Sequence, residues 1–420
     1  MSRKYAGMRP SDIPWLREIP VHWKVLPMRA VAFSKQARNT GMIESNLLSL
    51  SYGRIVRKDI TTSDGLLPES FETYQIVDRD DVVFRFTDLQ NDKRSLRSAL
   101  VAERGIITSA YVAVRTKDVE PRFFAYLMRA WDLSKVFYGL GGGVRQSLKF
   151  ADVARLPVLL PSPSEQRAIA DFLDRETAQI DTLIAKQQRL IATLRERKDA
   201  QWDRLYATAL EAGSRQPIRR AVESIVDGPF GSSLTSAHYS DAGVRVIRLA
   251  NIGVNEFKDE DSAFISEQYA ATLSAHAAHA GDVIVAGLGD EKMPLGRATV
   301  LPEIGPAIVK ADCYRIRPNE HVSPEYLSWV MCAPATRNEM KLLSRGSTRE
   351  RLNTSVVRRA PIPIPPRDVQ ARIVREHQGA TAAIDTLIQK SERLIELSQE
   401  RRAALITAAV TGQIDVRKAA

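Results

Sequence analysis

The chain has 420 residues, 44% of them hydrophobic, enough for two or three domains with cores of their own. It carries 60 Lys/Arg against 50 Asp/Glu, a net charge of +10, which is consistent with a phosphate-bearing partner. No stretch approaches the roughly 18 apolar residues of a membrane span, and the opening MSRKYAGMRPSDIPW lacks the apolar run of a secretory signal, so the expected location is the cytoplasm.

In chain order, residues 1–160 come first. They are rich in short β-branched and aromatic runs such as Asp81-Val82-Val83-Phe84, Ile106-Ile107 and Tyr111-Val112-Ala113-Val114, broken by turns. This pattern predicts a mainly β domain with a few helices. The segment holds 25 Lys/Arg against 17 Asp/Glu, most of the chain's excess charge. It stops at Leu159-Leu160-Pro161-Ser162-Pro163, where Ser162-Pro163-Ser164-Glu165 fits a capping box with proline at the first helical position. A long helix is predicted over 161–212, with Leu173, Ile180, Leu183, Leu190 and Leu194 forming a heptad seam. Residues 213–366 return to the β pattern with Val244-Arg245-Val246-Ile247, Asp282-Val283-Ile284-Val285 and Ala307-Ile308-Val309. They end at Pro361-Ile362-Pro363-Ile364-Pro365-Pro366, and a second long helix is predicted over 367–420, with Ile384, Leu387 and Leu394 in its seam.

The second half repeats the first. Residues 180–197 and 384–401 match at 11 of 18 positions without gaps, an offset of 204. The same offset pairs Pro161 with Pro365, Gln166 with Gln370, Gly142 with Gly346, Arg145 with Arg349 and Leu148 with Leu352. Two matching apolar stripes favour pairing with each other. A helix over 163–211 would run roughly 70 Å, and the few residues before the next domain reach only about 17 Å. The second helix is therefore expected to run back antiparallel. The expected fold class is α+β: two mainly β domains with some helices, joined by two long antiparallel helices in a coiled-coil rod, with an internal pseudo-twofold repeat. Such a molecule suits a partner with two similar halves, and DNA is the obvious one. With a rod as ruler, its length would set the spacing of two half-sites.

The residues resemble the specificity subunits of type I restriction–modification systems. The resemblance runs over essentially the whole chain. It rests on the repeated proline, glutamine and IDTLI helix, on the C-terminal Thr407-Ala-Ala-Val-Thr-Gly-Gln-Ile-Asp415, and on Asp227-Gly-Pro-Phe-Gly-Ser-Ser-Leu234, and it implies that the two mainly β domains are target-recognition domains. Val246-Ile-Arg-Leu-Ala-Asn-Ile252 and Trp15…Ile19-Pro20-Val-His-Trp23 add to it. The resemblance implies two domains that each read half of an asymmetric bipartite DNA site. It also implies a helical rod docking two methyltransferase subunits, with motor-nuclease subunits joining for restriction. S-adenosylmethionine would belong to the methyltransferase, ATP and magnesium to the motor-nuclease, and no cofactor or catalysis to this chain.

A bipartite reader must read different bases with its two heads, so features common to both copies are expected to be scaffold, docking surface or phosphate contact. The shared glycine-basic loop supplies the candidate phosphate contacts Arg145, Lys149, Arg345, Arg349 and Arg351. A structural turn bridging head and helix would use the same residues. Candidate base readers lie in divergent polar loops: Arg85, Asn91, Lys93, Arg94 and Arg97 in the first head, and Ser232, Ser233, Asn251 and Lys292 in the second. Each is equally a solvated loop residue.

Catalytic motifs are missing. There is no GxxxxGK[ST] phosphate loop, Gly139-Leu-Gly141-Gly-Gly-Val144 lacks the last glycine of a dinucleotide fingerprint, and Pro365-Pro366 sits outside any methyltransferase motif. Asp290-Glu291-Lys292 has no upstream nuclease partner, and neither His276 with His279 nor Cys313 with Cys332 makes a ligand cluster. Two other classes stay open: an enzyme with a dispersed site, and a protein scaffold whose heads bind no DNA.

Overall fold

In the computed structural model the described residues are 4–60, 70–89, 96–140, 147–290, 293–344 and 351–418. The chain divides into two units, Met1–Gln188 with Glu392–Ala420, and Arg189–Ser391.

The first unit is built on a four-stranded antiparallel sheet in the order Ala32–Lys35, Val112–Thr116, Val82–Phe84, Ser98–Leu100. Alternation divides its side chains between two cores. Val82, Phe84 and Val114 face the helix Pro121–Leu133, whose Phe123, Phe124, Leu127 and Trp131 complete the larger core. Val83, Ala99 and Ala113 face a smaller β layer with Leu48, Leu50, Val77 and Ile107. Both faces are covered, which is why the short strands read as apolar runs.

The second unit repeats this plan. Its sheet runs Val222–Val226, Cys313–Pro318, Val283–Ala286, Ala298–Val300. Val283, Val285 and Ile316 face the core that holds the helix Pro324–Cys332, and Ile284, Ala286 and Cys313 face the other side. In each unit a short antiparallel pair feeds a long helix: Lys24–Pro27 with Pro157–Leu160, and Ser214–Pro217 with Pro361–Ile364.

The repeated glutamine has a physical role. Gln166 donates to the Pro161 carbonyl at 3.0 Å and accepts from the Glu120 amide at 2.9 Å. Gln370 donates to the Pro365 and His321 carbonyls, both at 2.8 Å, and accepts from the Ser323 amide at 2.9 Å. Glu120 and Ser323 each precede the main helix of their unit, so one buried amide ties the start of a long helix to the start of a domain helix. Amides this deeply buried persist only when their donors and acceptors are matched.

The long helices are Pro163–Ala212 and Arg367–Val410. They pair antiparallel: in the second unit Lys198 meets Asp385 at 2.7 Å and Arg204 meets Glu376 at 3.3 Å, so numbers rise along one helix as they fall along the other. In the first unit Asp181 meets Arg402 at 3.3 Å, the repeat-related counterpart of the Lys198–Asp385 pair. Their ends join the unit cores, Ile169, Leu173, Ile406 and Val410 in the first and Trp202, Leu205, Ile373 and Val374 in the second.

The seam differs from the heptad expectation. Leu173, Ile180, Leu194 and Ile384 are buried, but Leu183, Leu190, Leu387 and Leu394 are exposed, at 38%, 43%, 48% and 39%. The buried stripe instead steps through Thr177, Ile180, Ile191 and Leu194 on one helix and Ile384, Ser391 and Ser398 on the other. A single residue turns the helix by about 100°, so Leu190, just ahead of buried Ile191, falls on the flank. No helix among the described residues is long and apolar enough to cross a membrane.

Candidate nucleic-acid interface

The cations of the first unit fall into two sets. Lys35 is bonded to Asp78 and, at 3.0 Å, to buried Asp81, while Arg115 donates to Asp81 at 2.7 Å. Their charge is consumed inside the fold. Arg38, Lys58, Arg85 and Lys149 make no side-chain hydrogen bond or ion pair among the described residues. They line two adjoining depressions that share Tyr111, one with Gln36, Arg38 and Lys149, the other with Tyr52, Lys58 and Arg85. None of the described residues lining this groove is acidic.

The fold explains the gathering. Lys35, Phe84 and Val112 are neighbours at one end of the central sheet. Residues 36–38, Arg85 and Tyr111 follow or precede them immediately. Leu148 donates its amide to the Phe86 carbonyl, which brings Lys149 to the same end.

The second unit presents the corresponding end. Asp227 follows one strand, Gly287 follows another and Asp312 precedes the third; Leu352 donates its amide to the Gly287 carbonyl, as Leu148 does to Phe86. Here Arg351 donates to Asp312 at 2.7 Å and lies 5.5 Å from the ring of Phe230, itself 53% exposed. Lys310 donates to the Tyr239 hydroxyl at 2.9 Å. The turn that carries Phe230 needs glycine at 228, because a Cβ there would lie 2.0 Å from the Lys310 carbonyl carbon. Asp227 accepts from the Gly228 and Asp312 amides, and burial pushes its carboxyl up to about 6. Among the described residues here, Asp312 pairs with Arg351 and Asp261 with Arg248.

Of the residues singled out from sequence, Arg85 and Lys149 meet in the first groove, and Arg351, Ser232 and Ser233 are exposed in the second unit. Two base-reading candidates are corrected. Arg97 is fully buried, donating to the Thr87 and Asp88 carbonyls at 3.0 and 3.2 Å, and Arg297 does the equivalent work in the second unit, donating to the Ile252 and Leu288 carbonyls. Asn251 is buried as well, accepting from the Arg248 amide and donating to the Lys258 and Asp261 carbonyls. Each side chain braces a loop from inside and has no edge left for a base. Asn91, Lys93, Arg94, Arg145, Lys292, Arg345 and Arg349 lie outside the described residues. Gln36, Arg38, Lys58, Tyr111, Phe230 and Lys310 emerge only from the fold. Their common signal, adjacency to strand ends on one side of the sheet, requires the strand order. Among the described residues no three metal-ligating side chains converge, and His276 is engaged with the Asp227 carbonyl at 2.6 Å.

Residues 234–396 match the family model described as the type I restriction modification DNA specificity domain. The chain is 22% identical over 177 residues to the type I restriction enzyme StySPI specificity subunit of Salmonella potsdam, covering 42% of this chain and 38% of that one. It is 21% identical over 200 residues to the MjaVIII specificity subunit of Methanocaldococcus jannaschii, covering 47% and 46%. The matches thus span less than half of these relatives. Among solved structures, a chain from work on assembly and conformational transition of the type I restriction–modification system superposes with a TM-score of 0.66 at 15% identity, covering 94% of this chain and 99% of that one. The HsdS subunit from Thermoanaerobacter tengcongensis superposes at 0.50, also at 15% identity, covering 94% and 98%.

Proposed function

We propose that this chain is a specificity subunit of a type I restriction–modification system, and that it reads a bipartite, asymmetric DNA site and performs no chemistry itself. The observation that carries the reading is the basic groove at one sheet end of the first unit, whose described lining holds no carboxylate, together with a related cationic and aromatic surface at the same sheet end of the second. Lys58, Lys149 and Arg38 supply phosphate contacts, and Arg85 and Gln36 the edges that bond bases. In the second unit Arg351 grips phosphate, and Phe230 offers a face for sugar or base packing. The two surfaces differ in residues, as a reader of two unlike half-sites requires.

The exposed leucines of the long helices, Leu183, Leu190, Leu387 and Leu394, are the docking positions for two methyltransferase subunits. Base flipping and methyl transfer from S-adenosylmethionine belong to those partners, and ATP and magnesium to a motor-nuclease. The test is to co-express the chain with its neighbouring methyltransferase in a methylation-free host and map modified bases. Methylation at one split motif, lost when this chain is withheld, is expected. An active, assembled methyltransferase that marks no motif would refute the assignment.

A further inference from the structure

Beside the groove, the first unit holds a second cationic feature that base reading does not use. Where the turn at Tyr52 and Gly53 meets the long helices there is a cleft of about 710 Å³, lined in part by Tyr52, Arg54, Arg129, Asp181 and Arg402. Three guanidiniums face one carboxylate. Arg54 meets Asp181 at 2.9 Å and Arg402 meets its other oxygen at 3.3 Å, so a single negative charge is shared between two cations. Arg129 has no carboxylate of its own: it donates to the carbonyls of Gly53, at 2.7 Å, and Ser98. Its Nε is buried without a hydrogen-bond partner among the described residues. Burial pushes Arg129 down to about 10, and Arg402 and Arg54 push the same way while Asp132 opposes them, so it is still charged at neutral pH.

The backbone is shaped to seat this group. Gly53 has φ of +76°, and a Cβ there would lie 2.6 Å from both terminal nitrogens of Arg129. Any other residue would push the guanidinium out of the turn. Tyr52, the preceding residue, lines both this cleft and the part of the groove that holds Lys58 and Arg85. Tyr52 thus joins the groove at the sheet end to the cleft at the long helices.

We propose that the cleft is an oxyanion site formed by Arg54, Arg129 and Arg402, and that its occupant is a DNA backbone phosphate flanking the bases read in the groove. The inference rests on the DNA-reading function proposed above. Guanidinium forks match phosphate oxygens in pairs, and three guanidiniums set against Asp181 and the buried Asp132 leave a net positive charge that calls for an anion. A backbone phosphate arrives on the same ligand that fills the adjoining groove, whereas a carboxylate would need a separate partner. The contact carries no sequence information; it sets register. The second unit lacks it: counted from the helix starts at Pro121 and Pro324, the position of Arg129 is taken by Cys332, whose thiol donates to the Ala298 carbonyl as Arg129 does to that of Ser98.

The test uses the full chain assembled with its methyltransferase and a duplex bearing the mapped site. Loss of one phosphate contact lowers the magnitude of the slope of log K against log salt by about 0.9. The double variant Arg54→Gln, Arg402→Gln is expected to lose that amount while keeping its sequence preference. Asp181→Asn, which frees two guanidiniums without removing any, is expected to tighten binding by about threefold or more. In wild-type protein, single neutral methylphosphonates outside the read bases are expected to reveal one sensitive position that becomes insensitive in the double variant. An unchanged slope in the double variant, or no tightening with Asp181→Asn, overturns the proposal. So does loss of methyltransferase binding with the DNA slope intact, which would assign the cleft to a protein carboxylate. Absence of any sequence preference in the wild-type complex would instead remove the underlying function.

Discussion

His377 makes the second unit sensitive to acid. Its ring lies 4.2 Å from that of Trp202, which in turn stacks on Trp329 at 5.4 Å, and its Nδ1 is buried with no hydrogen-bond partner among the described residues. Burial, with Lys198 adding to it and Asp385 opposing, pushes its pKa from 6.5 down to about 4. The unfolded chain takes up a proton near pH 6.5 that the folded chain refuses until about pH 4. Stability is therefore flat above pH 7 and falls as pH drops through that window. At about 1.36 kcal/mol per pH unit the full loss is about 3 kcal/mol, and about 2 kcal/mol has gone by pH 5. Asp227, whose carboxyl is raised, acts with the opposite sign and must be subtracted. Urea unfolding followed by tryptophan fluorescence at pH 8 and pH 5 measures the sum. Repeating it with His377→Leu, the residue the repeat carries at Leu173, isolates the histidine. The variant is expected to lose about 2 kcal/mol less than wild type between those two pH values. PH dependences that agree within about 0.5 kcal/mol would refute the reasoning and point to a protonated or hydrated ring.

The buried glutamines give a graded pair. Gln370→Ala strips three hydrogen bonds and is expected to cost about 3–5 kcal/mol, and Gln166→Ala strips two and costs about 2–3 kcal/mol; denaturant titrations and amide exchange at Ser323 and Glu120 would measure both. In the groove, Lys149→Ala is expected to weaken binding to all sequences alike and lower the salt slope by about 0.9. Arg85→Ala is expected to relax base preference at one position at a cost of about 1–3 kcal/mol, read from competition binding. Leu183→Asp with Leu387→Asp, both on exposed flanks, is expected to move the unfolding midpoint by less than about 0.5 kcal/mol equivalent. The same change should abolish co-purification with the methyltransferase.

Much of the architecture was legible because it was written twice. The proline stops, the glutamines and the IDTLI segments all sit in matching places in both units. The seam was legible only in part. Leucine spacing alone cannot separate a seam residue from one a single step away, and the true stripe includes Thr177, Ser391 and Ser398, which hydrophobicity does not flag. The base-reading candidates suffered from the same blindness to the third dimension. Arg97 looks like a loop arginine, yet it is spent on the carbonyls of its own loop. Arg38 and Lys58, apart in sequence, line adjoining depressions that share Tyr111, an arrangement that no local pattern encodes.

The first unit is assembled from both extremes of the sequence. Ile406, Ala409 and Val410 share a core with Ile169 and Leu173, and Gly412 packs on Pro20 and Trp23. On the ribosome, residues 189–391 emerge in full before that last helical stretch does. The unit begun first is thus the one finished last. Until residues 406–410 emerge, the nascent chain holds a completable second unit while the Ile169–Leu173 face waits, apolar and uncovered. Chaperone engagement during synthesis is therefore expected to concentrate on the first unit, the reverse of the order in which domains along a polypeptide usually mature.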